Sequence, residues 1–242
     1  MRDEDLPDHL KAFEVQDVCG CGVAHGPGDH HHHHSHGHAA PVSSEAAEGP
    51  KASALHDLLV EAGASMRVEG DVIVAASVPG ADAARLKLID LSHLAQVAVV
   101  PRGAGAETRI ETALPALAAL QDGEAVASDG RLLAAPGGQR IVCFLSGDAA
   151  ELQAALAPDV MVKALRTRVL LALAGEERAA VTGLDMAPGA ARVLSLAGAE
   201  VWAFDAGGRL YLSVPEEAAE AVARHILAAP GAALAGLDHL VR

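Results

Sequence analysis

From about residue 51 onward, two hydrophobic textures alternate along the chain. Ala54, Leu55, Leu58, Leu59 and Ala62 recur at helical spacing and stop at Gly63, which predicts a first helix. Met66-Arg67-Val68 and Val72–Ala76 lie on either side of Glu69-Gly70-Asp71 and predict strand, turn and strand. Pro79 closes that pair, and the Ala- and Leu-rich run Ala81–Leu94 predicts a helix. Gln96–Val100 predicts a strand closed by Pro101, and Ile110–Leu120 a helical stretch around Pro115. Glu124–Ala127 and Arg131–Ala134 flank Ser128-Asp129-Gly130, a hairpin signature because Asp-Gly tolerates positive φ. Arg140–Leu145 predicts the strongest strand, and Asp148 an N-cap for a helix over Ala149–Leu156. Val160–Ala174 predicts a long apolar helix. A hairpin over residues 200–214 and a helix over Glu216–Ala228 complete the pattern.

One stretch echoes another. AGASMRVEGDVIVAASVP (62–79) matches AGAEVWAFDAGGRLYLSVP (197–215), and LAALQDGEAVASDGRLLAAP (117–136) is a looser third copy. Two readings stay open: duplicated helix–hairpin–helix modules, or chance matches among small residues. The expected fold class is α/β or α+β, with Ala-rich helices and short hairpins. An internal division of the globular part, residues 51–242, falls near 136–158.

Hydrophobic residues make up 51% of the chain, mostly Ala, Val and Leu, so the expected core is aliphatic. The aromatic set is Phe13, Phe144, Phe204, Trp202 and Tyr211. Net charge is −14, and the first fifty residues hold nine acids against two bases. That balance, with so few aromatics, argues against nucleic-acid binding, which needs a basic footprint and stacking platforms. The opening MRDEDLPDHLK lacks the apolar core of a signal peptide, and no apolar run reaches about 18 residues, so no membrane span is expected. Three cysteines, two of them in a C-x-C pair, do not make a disulfide framework. The expectation is a cytoplasmic protein with reduced thiols.

Residues 1–50 read as a flexible, disordered acidic arm and linker, too poor in large apolar side chains to offset ordering entropy. Within it lie Cys19, Cys21, His25, His30, His31, His32, His33, His34, His36 and His38. Thiolate and imidazole are preferred ligands of borderline and soft transition metals. The cluster predicts binding of Ni2+ or Zn2+, with cobalt or copper behind them, at about three or four donors per ion. The function this favours is transition-metal binding, storage or delivery, as an accessory factor to a client metalloenzyme or maturation complex. Val18-Cys19-Gly20-Cys21-Gly22 and the His tract after it resemble the N-terminal arm of the hydrogenase nickel-incorporation GTPases, over about residues 17–38. The resemblance implies a high-affinity site at Cys19 and Cys21 and a His-rich nickel store. No G-x-x-x-x-G-K-[ST] occurs, so it implies no nucleotide hydrolysis.

Other candidates are more ordinary. Cys143 in Ile141–Leu145 reads as a buried structural thiol, and Ser146-Gly147-Asp148 as a helix cap. His56, His93, His225 and His239 are scattered, and His225, His239 and Asp238 form a minor second metal candidate. Leu165–Leu170 with the hairpin 200–214 faintly resembles metal-sensing winged-helix repressors, but Arg178–Leu196 lacks the bases for phosphate contacts. The alternatives are an enzyme of unknown class carrying the arm, a metal-responsive regulator, and a scaffold domain. A cluster of acids or histidines in a domain pocket would favour the enzyme. Low-charge surfaces are compatible with protein partners or self-association.

Overall fold

The computed structural model describes residues 49–146, 149–175, 178, 183 and 186–240, within a unit running from Ala47 to Arg242. Strands dominate the described residues. A small sheet holds β1 (Lys51–Ala52), β2 (Ser65–Glu69) and β3 (Val72–Ser77) in the order β1-β3-β2. The central sheet uses β4 (Leu86–Asp90), β10 (Arg168–Gly175), β11 (Ala191–Leu196), β12 (Ala199–Ala206), β13 (Arg209–Pro215) and β14 (Ala232–Ala235). Its order is β11-β12-β13-β10-β4-β14, antiparallel except where β14 joins β4. The third sheet, in the order β6-β7-β8-β5-β9, uses β5 (Gln96–Pro101), β6 (Ala125–Ser128), β7 (Arg131–Ala134), β8 (Ile141–Phe144) and β9 (Val160–Ala164). The α-helices are α1 (His56–Glu61), α2 (Ala106–Ala113), α3 (Pro115–Ala119), α4 (Ala149–Leu156) and α5 (Ala219–Leu227). None of the described helices is long and apolar enough to cross a membrane.

Alternation within the third sheet explains the layering. Val97, Val99, Leu133, Val142 and Phe144 point to one face and share a core with Ile110, Leu114, Leu117, Leu152 and Leu156 from α2, α3 and α4. Their neighbours Ala98, Leu132, Ala134, Ile141 and Cys143 point the other way, into the main core with the central sheet. A period of two places both faces of each strand against apolar layers. The Asp129-Gly130 turn joins β6 to β7 with φ of 50° and 70°, the doubly positive geometry expected of Asp-Gly.

The expected Ala-rich α/β or α+β fold of helical modules is corrected to a fold built mainly of sheets. Two predicted helices are strands. Within 81–94 the chain makes a 3-10 turn at Ala81–Ala83 and then β4; within 160–174 it makes β9 and β10. In β10 the residues from Val169 to Leu173 are all buried, because helices or sheets cover both faces. A strand buried on both sides shows no period of two and reads like a buried helix. The echo between 62–79 and 197–215 is a true hairpin in both places, β2–β3 and β12–β13, but in different sheets. The first is followed by the 3-10 turn and β4, the second by a 3-10 turn and α5. Among the described residues no helix–hairpin–helix module is duplicated.

Candidate functional site

Strand β4 belongs to the central sheet and β5 to the third, so residues 91–95 must cross between them. That crossing carries Ser92-His93-Leu94. His93 and Leu94 line two cavities at once, of about 330 and 280 Å3. The first reaches Asp71, Gln96, Arg166 and Arg168; the second reaches Arg67, Glu69, Arg209, Tyr211 and the C-terminal Leu237 and Leu240. All three sheets thus contribute to the walls.

Strand register aims the central-sheet residues. Phe204, Tyr211, Ala172 and Ile89 form one row across the sheet, and Trp202, Ser213 and Arg168 share that face by alternation. Asp90 lies on the opposite face, beside α1, where its carboxylate accepts the Leu55 N–H at 3.3 Å. Arg168 stacks on Trp202 with its guanidinium carbon 3.9 Å from the ring centre. It also donates to Ser213 Oγ (3.0 Å), the Ser213 carbonyl (2.6 Å) and the Glu200 carbonyl (3.2 Å). Burial lowers its pKa, so this cation is partly stripped of water. Gln96 links the two sheets by donating to the Arg168 carbonyl at 3.1 Å. Across the second cavity, Arg209 donates to the Leu240 carbonyl at 2.7 Å and ties the C-terminal wall to β13. Arg67 pairs with Glu69 at 2.6 Å. Burial lowers the His93 pKa against the opposing pull of Glu69 and Asp90, with Arg67 adding a smaller lowering.

The linings hold Arg67, Arg166, Arg168 and Arg209 against Glu69 and Asp71. On a chain of net charge −14 this is a local reversal of sign, suited to an anionic ligand. A larger hollow of about 460 Å3 beside Val99–Pro101 is less suited, since its charged walls, Arg140 and Glu107, satisfy each other at 2.9 Å.

Of the residues singled out from sequence, Cys19, Cys21, His25, His30–His34, His36 and His38 lie outside the described residues, as do Gly147 and Asp148. His225 is exposed on α5. His239 Nε2 stands 3.9 Å from both Asp82 and Asp238. Among the described residues no group of three His, Cys, Asp or Glu could hold a metal ion. His93 is the one scattered histidine that the fold places in a cavity with arginines. Sequence reasoning missed Arg67, Arg166, Arg168, Arg209 and Tyr211, because only the sheet register gathers them. The polar Asp90-x-Ser92-His93 at the end of an apolar run was the available signal.

Cys143 is fully buried, and burial pushes its thiol up to about 12. Its Sγ faces Gln96 Oε1 at 3.9 Å. The thiolate is the nucleophile, so the Cys143 peptide is expected to stay unlabelled by iodoacetamide at about pH 8 in the folded protein. It is expected to label fully in urea. Peptide mass mapping checks this, and fast labelling of the folded protein would contradict a sealed thiol.

No protein-family model matches this chain, and no curated protein matches it. Solved structures do. Glycine cleavage system aminomethyltransferase T from Bartonella henselae superposes with a TM-score of 0.64 at 23% identity, covering 77% of this chain and 60% of that one. This chain therefore spans well under the full length of that enzyme. Heterotetrameric sarcosine oxidase from Corynebacterium sp. U-96, in complex with pyrrole 2-carboxylate, gives 0.50 at 20% identity, covering 72% of this chain and 91% of that one. The neighbours are enzymes of amino-acid substrates, and the described residues hold no metal cluster. These findings overturn the metal storage and delivery reading and its Ni2+ or Zn2+ cofactor, and they give no support to a client metalloenzyme. The reason is that the arm's ligand chemistry said nothing of the domain behind it. At these identities the likeness shows the fold alone, shared over 77% of this chain with the aminomethyltransferase and over 72% with the sarcosine oxidase chain.

Proposed function

We propose that this chain is a ligand-binding enzyme or enzyme subunit of amino-acid one-carbon chemistry, whose paired cavity around His93 takes a carboxylate-bearing small molecule. The observation that carries the reading is the reversal of sign in the cavity walls: beyond the Arg67–Glu69 pair, three arginines stand against one acid in a strongly acidic protein. Arg166 and Arg168 on one side and Arg209 on the other place positive charge in the walls, which favours a carboxylate. Leu94, Leu145, Leu237, Leu240 and Tyr211 supply apolar wall for a carbon skeleton or flat ring. The two cavities share His93 and Leu94 in their linings, so a ligand in either one meets the same two residues. A reduced folate offers both a flat head and a carboxylate tail to such walls. The neighbours' work on aminomethyl groups and sarcosine supports the same chemical class.

Trp202 is the chain's single tryptophan and lies under Arg168, so its emission reports on the first cavity. Titration of the full chain with glycine, sarcosine, pyrrole 2-carboxylate and tetrahydrofolate is expected to give saturable emission changes and heats for at least one of them. Dissociation constants of about 1 mM or tighter are expected. No saturable response to any of the four at about 10 mM would end the reading. Work as one subunit of a larger assembly is favoured by the 91% coverage of a chain from a heterotetramer. Native mass measurement of the protein isolated from its source would find it bound to other chains.

A further inference from the structure

His93 forms the wall between the two cavities, and its surroundings fix more than its place. Asp90 is 2% exposed and commits its carboxylate to other donors. Oδ2 accepts the Leu55 N–H at 3.3 Å, and Oδ1 accepts the Ser92 N–H at 2.9 Å and the Ser92 hydroxyl at 2.5 Å. Ser92 Oγ in turn accepts the Ala54 N–H at 3.4 Å. These bonds clamp the start of the crossing segment to β4 and to the approach to α1, immediately before His93. None of them reaches the imidazole. Its Nδ1 is sealed from solvent with no hydrogen-bond partner.

A neutral imidazole carries its proton on one nitrogen only. On Nδ1 that proton would be a sealed N–H with nothing to accept it. On Nε2 the sealed atom is left with only a lone pair, and the N–H sits on the other ring nitrogen, which is not among the sealed, unpartnered atoms. Buried donors without an acceptor are the rarer and costlier of the two. Burial also favours the neutral ring over the imidazolium.

We infer that His93 meets the ligand as an uncharged N–H donor through Nε2, held by the Asp90–Ser92 clamp, and that the ligand presents an acceptor there. That acceptor is a carboxylate oxygen, a heterocyclic carbonyl or a bare ring nitrogen. The inference rests on the carboxylate-ligand reading above and deepens it. In this tautomer Nε2 has no lone pair, so His93 orients the ligand and is not a general base toward it. Asp90 is a positioning residue that acts through the crossing segment.

The test uses the full chain with 15N-labelled histidine. Two-bond 1H–15N correlations show which ring nitrogen is protonated, and the His93 signals are those lost in His93→Gln. The proton is expected on Nε2. Calorimetry with pyrrole 2-carboxylate and with pyrrole, which lacks the carboxylate, follows on wild type, His93→Gln, His93→Ala and Asp90→Asn. Glutamine can place an N–H donor near the Nε2 position, so it is expected to hold affinity within about threefold, while alanine weakens it about tenfold or more. Asp90→Asn is expected to weaken binding and to broaden or shift the His93 signals in protein that remains folded by circular dichroism. Pyrrole is expected to bind no variant measurably. Failure of wild type to bind any carboxylate probe would remove the functional reading, whatever the spectrum shows. Binding by wild type with the proton on Nδ1, or with glutamine no better than alanine, would overturn this inference alone.

Discussion

Gly175→Ala is expected to cost about 3–5 kcal/mol, enough to leave this domain largely unfolded in mild urea. Gly175 closes β10 opposite Leu86 of β4, with φ of 125°. A Cβ there would fall inside the contact radius of the Arg85 carbonyl oxygen and press on the backbone behind it. That backbone cannot retreat easily. The N–H groups of Arg85 and Leu86 both donate to the Gly231 carbonyl, at 2.9 and 3.2 Å, and β14 closes the far side of β4. The control is Gly208→Ala in the β12–β13 turn, where φ is 77° and a Cβ meets nothing within 4 Å. It bears the left-handed backbone penalty without the collision, about 1–2 kcal/mol. Urea unfolding of both variants measures the difference. Equal losses would mean that β4 and β14 yield, and that the central sheet is softer than its register implies.

Arg168→Ala is expected to lose about 2–4 kcal/mol of stability and to shift Trp202 emission to longer wavelength. The change removes the stacked cation and leaves the Ser213 hydroxyl and carbonyl without their guanidinium donor, at a residue that is fully buried. Unpaired buried acceptors account for much of the cost. Arg168→Lys is expected to recover little, because an ammonium cannot lie flat on the indole while forking to Ser213. Binding of a carboxylate probe should weaken about tenfold in both variants. The measurements are urea unfolding followed by circular dichroism, with Trp202 emission and calorimetry beside it. Lysine behaving like wild type would show that charge alone matters and that the stacked geometry does not.

Local chemistry in the chain was legible wherever neighbours in sequence decide the outcome. The Asp129-Gly130 turn and the hairpins at 65–77 and 199–215 follow from dihedral preferences of single residues. Cys143 was legible as a buried thiol because a continuous apolar strand surrounds it. The errors fall where burial on both faces erases periodicity. Leu86–Asp90 and Val169–Leu173 look like helix by Ala and Leu content, yet they are adjacent central strands. The functional reading erred for a different reason. Cys19, Cys21 and the histidines to His38 dominate the sequence by composition, and composition carries no information about how the remaining residues assemble. His93 stood in plain view, but a lone histidine is unremarkable until Arg168 and Tyr211, 75 and 118 positions later in the chain, are brought beside it.

By itself the sequence determined the aliphatic core, the turns, most hairpins and the acidic balance. Each of these depends on side-chain type or on contacts within a few residues. Only the tertiary structure decided that the apolar runs are strands, that three sheets meet at residues 91–95, and that arginines from separate sheets converge on one histidine. Those outcomes depend on pairing between strands far apart in the chain, where a shift of one residue would turn Arg168 and Tyr211 to the opposite face.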